Sequence, residues 1–313
     1  MWKHIVVASV LSLAGLGGST ALGRSETESP PGSPQQKKEG ERFCILFLDV
    51  GGIPDAEDFA EGRLLAEALR YKLKFDYTYR GDPEMSRLYP AVDLDHLYAG
   101  TDTRALMERA GRIELVADVL TGAQPFVDLL EKHRPNVVHV LAHGAGKGTF
   151  EEASWSDHKG QVFPLTKVKK ALAASKLDLG KMCLVTPGCD LGRDKVMDGL
   201  KSMGFGCVIA WPGSVCASEA LEFEGDLYEA LVSQFILHRG AEPFWTSDDG
   251  CPPALRKAFD FATKSLQDRY RLLDEHFQDV AGRPDVAGYY LHTPSWSGEP
   301  YEYAATPALR CGR

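Results

Sequence analysis

The 313-residue chain is 44% hydrophobic and 25% charged, which is ordinary globular material able to bury one large core or one and a half. Its formal net charge of −9 argues against a general binder of nucleic acid or anionic membrane, either of which calls for a basic surface. A neutral or basic partner suits that charge better.

Met1-Trp2-Lys3-His4 leads into an apolar run from Ile5 to Leu16, followed by small residues and Ala21-Leu22-Gly23 before Arg24. This is the order of a secretory signal peptide over 1–23, and it predicts export to the periplasm or outside the cell. The run falls short of the ~20 residues that span a bilayer. Ser9, Ser12 and Gly15 also interrupt it, so no stable membrane span is expected after cleavage. Residues 24–41, rich in Ser, Pro, Gln, Lys and Glu, can bury little and read as a flexible lead-in.

Arg42 to Val50 reads as a first buried strand that Gly51-Gly52 breaks, with Asp49 near its carboxyl end. From Asp55, Leu65, Leu69 and Leu73 at four-residue steps predict a crossover helix. Phe75 to Tyr79 predicts a second strand, turned by Gly81-Asp82-Pro83. The pattern weakens from Glu84 to Gly122, with a short helix over Thr103 to Ala110. Pro125 then opens a helix with Phe126, Leu129 and Leu130 inward, and Pro135 ends it. Val137 to Gly144 and Met182 to Asp190 are two apolar runs bounded by Gly and Pro, each expected to be a buried strand closing on a loop. Between them lie a small hairpin around Lys159-Gly160 and a helix capped by Thr166. A helix from Asp194 to Met203, a strand from Phe205 to Trp211 and a helix from Ala217 to His238 follow. From Pro253, apolar residues recur at three- and four-residue steps to Val280 in the cleanest helix of the chain. The tail, with Tyr289-Tyr290-Leu291 and Tyr301-Glu302-Tyr303, is expected to add a short strand or pack over that helix.

In open α/β sheets ligands lie beyond the carboxyl ends of the strands, where His143 and Cys189 stand 46 positions apart. That interval accommodates one crossover helix, so the two strands can be neighbours. An imidazole within reach of a thiol supplies the base a cysteine nucleophile needs near neutral pH. His143-Gly144, then Cys189-Asp190-Leu191-Gly192, then Val208-Ile209-Ala210-Trp211-Pro212 form an ordered series. In that series the chain resembles the CHAT branch of the caspase-like cysteine peptidases, from about Phe43 to about His238. The resemblance implies a caspase-like α/β fold: a mostly parallel sheet with helices on both faces. It implies a catalytic domain over 42–238, leaving 239–313 as a C-terminal helical extension.

By the same resemblance Cys189 is the nucleophile, His143 its base, and the backbone amides of Gly144 and Cys189 hold the oxyanion. Asp49 and Asp190 fall where such enzymes line the pocket for the residue before the scissile bond, and a carboxylate there would favour Arg or Lys. Trp211 would form an apolar wall of that pocket, or belong to the core. The implied activity is an exported endopeptidase acting on a peptide or protein. The alternatives are a catalytically idle module that binds peptides or partners, which has no need of both residues, and a thiol-dependent transpeptidase or amidase, which shares every residue named. No cofactor is called for, and calcium enters only as an activator to be tested.

Other chemistries lack their residues. Gly144-Ala145-Gly146-Lys147-Gly148-Thr149 misses the spacing of a phosphate loop and the third glycine of a dinucleotide fingerprint. No G-x-S-x-G or C-x-x-C occurs. His139 and His143 have the step of a zinc helix, but on a strand it separates them by ~13 Å, so no shared metal is expected. The seven cysteines leave at least one thiol unpaired in a monomer. Cys44, Cys183 and Cys207 read as buried thiols, and a bridge between two of Cys216, Cys251 and Cys311 is compatible with export.

Overall fold

The computed structural model describes residues 41–50, 66, 69, 108–145, 148–157, 160–213, 215, 217–238, 243–245, 251–280 and 307–311. The expected signal peptide, the lead-in up to residue 40, the strand at 75–79, Cys216 and the tyrosine-rich tail lie outside them. Of the expected crossover helix, Ala66 and Leu69 are described, both helical and buried.

β1 (Phe43–Val50) is buried along its whole length, as an apolar strand covered on both faces must be. It pairs in parallel with β2 (Ile113–Leu120) on one side and β3 (Val137–Leu141) on the other. β3 pairs in parallel with β7 (Cys183–Thr186), and β7 with β8 (Cys207–Ala210). β9 (Ala308–Cys311) closes the row antiparallel to β8, giving the order β2-β1-β3-β7-β8-β9. A second, antiparallel sheet is formed by β4 (His143–Ala145), β5 (Ser154–Ser156) and β6 (Val162–Pro164). The expected hairpin around Lys159-Gly160 is the β5–β6 connection.

Alternate residues of each central strand feed two separate cores. Leu46, Leu48, Val138, Val140, Leu184 and Val208 meet α1 (Ala123–His133), α2 (Leu165–Ala174) and α3 (Asp194–Lys201). Phe43, Ile45, Phe47, Val137, Val185 and Ile209 meet α4 (Ala217–Leu237) and α5 (Pro253–Val280). The protein is therefore α/β, with a mostly parallel sheet and helices on both faces. α5 packs within the α4 core and β9 completes the sheet, so residues beyond 238 contribute to the same layers.

Three local readings need correction. β2 lies inside the stretch where the sequence pattern weakens: only Leu115 and Leu120 of Ile113–Leu120 are buried, and the eight-residue register with β1 defines it. α2 starts at Leu165, without a side-chain cap, because the Leu165 N–H donates to the Ala153 carbonyl (3.0 Å) and ties the helix to the hairpin. Thr166 thus sits inside the first turn. α1 begins at Ala123 rather than Pro125, which costs nothing because the first helical N–H bond comes from Phe126 to Gly122 (3.1 Å). Arg134 in the left-handed conformation (φ 43°) ends α1 before Pro135, sending the chain into β3.

Candidate active site

β3 ends at Leu141, and after Ala142 the chain leaves the main sheet, so His143 opens β4 instead of closing β3. β4 is held by β5, with His143 opposite Ser156 and Gly144 opposite Trp155. The Trp155 indole N–H donates to the Thr186 hydroxyl (2.9 Å, buried), which fixes the hairpin to the last residue of β7. Pro187, Gly188 and Cys189 follow directly.

The histidine turn and the cysteine turn meet backbone to backbone. A Cβ placed on Gly144 would overlap the Cys189 carbonyl oxygen and lie 2.6 Å from the Gly188 carbonyl carbon and 2.7 Å from the Cys189 nitrogen. A Cβ on Gly188 would lie 2.7 Å from the Gly144 nitrogen and 2.8 Å from its Cα. Neither position has room for a side chain, so the approach depends on glycine at both. His143 is exposed and Cys189 half-buried at this junction.

The loop after β8 clamps the cysteine turn from the other side. Cys189 Sγ accepts the Val215 N–H at 3.4 Å and lies 3.7 Å from the Val215 carbonyl oxygen. The Asp190 N–H donates to Gly213 (3.0 Å) and the Gly192 N–H to Trp211 (2.7 Å). A Cβ on Gly192 would sit 2.6 Å from the Trp211 carbonyl carbon, so this glycine too is set by close backbone approach. Asp190 takes the left-handed conformation (φ 63°), which short polar side chains tolerate better than most.

The three pocket residues read from the sequence have different settings. Asp190 Oδ1 receives Arg193 Nη2 at 2.7 Å and Nε at 2.9 Å, so its charge is matched within its own turn. Asp49 is buried, at the end of β1 opposite Leu141 of β3. The Trp211 side chain is fully buried, edge-on to Phe223 of α4 (5.8 Å between ring centroids), as a member of the core. Its carbonyl, not its ring, meets the cysteine turn.

Val215 and Arg193 were missed by sequence reasoning. A backbone contact from Val215 carries no side-chain signature. Arg193 was detectable, since Asp190 and Arg193 are three residues apart in a turn.

His139, four residues before His143, belongs to the opposite environment. It is buried on the α4 face, with Nε2 3.4 Å from the Glu224 carboxylate and its ring beside Phe47 and Tyr228. Burial pushes its pKa down to about 3, so we take it as neutral at neutral pH despite the nearby carboxylate.

Comparison with protein-family models found no match. Among curated proteins the chain is similar to secologanin synthase 2 of Catharanthus roseus, 29% identical over 148 residues. That similarity covers 45% of this chain and 25% of the relative.

Proposed function

We propose that the protein is a cysteine endopeptidase, exported in its mature form, that uses Cys189 as nucleophile and His143 as base. The observation that carries this reading is the glycine-to-glycine contact joining the histidine turn to the cysteine turn. The turns that carry His143 and Cys189 come together through Gly144 and Gly188 beyond the carboxyl ends of a parallel sheet, and this fold class commonly places its chemistry there.

In the reaction His143 takes the thiol proton and Cys189 Sγ attacks the scissile carbonyl carbon. The Val215 N–H stabilises negative charge on the sulfur. The resulting oxyanion is held by the N–H groups of Gly144 and Cys189. The Gly144 nitrogen lies against Gly188, the residue before Cys189, which puts the two donors in neighbouring turns. Collapse of the intermediate expels the amine, which takes the proton from His143, and leaves a thioester on Cys189. Water, deprotonated by His143, then releases the acid and restores the thiol. Arg or Lys before the scissile bond is the expected preference, with Asp49 and Asp190 as its candidate partners, Asp190 being shared with Arg193.

The test is hydrolysis of a positional peptide library by the mature chain, with and without calcium, beside Cys189→Ala and His143→Ala. Cleavage that falls at least about 10³-fold in both variants is the expected result. Joined rather than hydrolysed peptides would reassign the site to acyl transfer. No cleavage, with Cys189 labelled by a thiol probe no faster than an ordinary cysteine, would remove the enzyme reading.

A further inference from the structure

At the amino-terminal end of β8, away from Cys189, three thiols converge. Cys207 begins β8, Cys311 ends β9 directly opposite it, and Cys251 lies two residues before α5. Cys311 Sγ is 3.0 Å from Cys207 Sγ and 2.6 Å from Cys251 Sγ, and all three sulfurs lie within 4.8 Å of one another. Cys207 and Cys251 are buried.

The geometry points to a disulfide between Cys251 and Cys311, with Cys207 as a resident third thiol able to exchange into it. Non-bonded carbon atoms pack best about 3.5–4.0 Å apart and sulfur is no smaller, so these positions are too close for three independent thiols. Zinc with bonds of about 2.3 Å in a tetrahedral site would hold its sulfurs roughly 3.8 Å apart, further than either distance here. A disulfide bond of about 2.05 Å needs the smaller movement, and the Cys251–Cys311 pair is already the closer.

Closing the bond releases two protons and two electrons, and a small-molecule disulfide of the exporting compartment accepts them. Cys311 attacks that disulfide, forms a mixed disulfide and releases one small thiol. Cys251 then displaces the second. The bond ties the last strand of the sheet to the start of α5. Attack of Cys207 on the Cys311 sulfur would move the bond onto β8 and release Cys251, with no net oxidation.

The experiment is peptide mapping of the full exported chain, denatured without reductant and alkylated with iodoacetamide. The expected map links the Cys251 and Cys311 peptides and shows Cys207 alkylated. In Cys251→Ser the link shifts to Cys207–Cys311. In Cys311→Ser it is lost and the melting temperature falls by about 5–10 °C. Alkylation of all three cysteines in the parent would overturn the proposal. So would one equivalent of zinc whose removal by a chelator exposes all three thiols together. The Cys189→Ala variant should give the parental map, which keeps this result separate from that of the peptidase assay.

Discussion

Cys189 and the Cys207–Cys251–Cys311 group stand at opposite ends of the neighbouring strands β7 and β8, and they differ in what touches sulfur. Cys189 is half-buried and meets main chain: the Val215 amide at 3.4 Å, with glycines at 144 and 188 allowing a second turn against it. The other three meet one another, at 2.6 and 3.0 Å for the two contacts of Cys311. Backbone amides with open space suit a nucleophile, whereas adjacent thiols suit a cross-link. On the proposed reading, the environment more than the residue type separates the reactive thiol from the cross-linking ones.

Gly144→Ala breaks the comparison most severely. Its methyl would overlap the Cys189 carbonyl, and two backbones cannot yield as a flexible side chain can. A loss of about 2–4 kcal/mol in denaturant unfolding is expected, together with loss of cleavage. The Cys251–Cys311 link in the peptide map should persist, because it lies at the other end of the strand. Retention of full activity would show that the two turns need not touch.

The histidines repeat the contrast, and acid separates them. His139, beside Glu224 and Tyr228 of α4, has a folded pKa of about 3 against an ordinary value near 6.5. Between those values the unfolded chain holds a proton that the folded one lacks. Its contribution to stability is therefore full above about pH 6.5 and is lost as pH falls, by up to about 1.4 kcal/mol per unit. Urea unfolding at pH 7, 5.5 and 4.5 should find His139→Phe gaining on the parent at each acidic step. A constant gap between the two would mean that His139 is charged in the folded protein.

Arg193→Ala is the mildest test. The Asp190–Arg193 pair is half exposed on the arginine side, so its loss should change stability by under about 1 kcal/mol. The preference among peptide substrates should also be unchanged, because Asp190 serves the turn. A rise in kcat/KM for peptides with Arg or Lys before the scissile bond would instead make Asp190 the pocket acid.

The strands with near-continuous apolar runs were legible as elements, though β3 stops at Leu141, short of His143: β1, β3, β7 and β8 are each buried on both faces, and such strands admit few other sequences. β2, the outermost strand among the described residues, was not, because with Glu114 and Asp118 among its residues it has no clean period, and its pairing with β1 defines it. β9 was expected only as some strand in the tail, and its alignment with β8 sets Cys311 opposite Cys207.

By itself the sequence determined the residue types at the ends of the central strands and the apolar spacing of α1, α4 and α5, since burial on one or two faces dictates both. It also supplied the glycines at 144, 188 and 192, the residues that allow close backbone approach. Only the tertiary structure decided which backbones approach there, that Val215 addresses the Cys189 sulfur, and that Trp211 gives its ring to the core and its carbonyl to the cysteine turn. It likewise gathered Cys207, Cys251 and Cys311 from distant parts of the chain. Main-chain hydrogen bonds carry no side-chain signature, and contacts across long separations depend on strand order, which local periodicity does not encode.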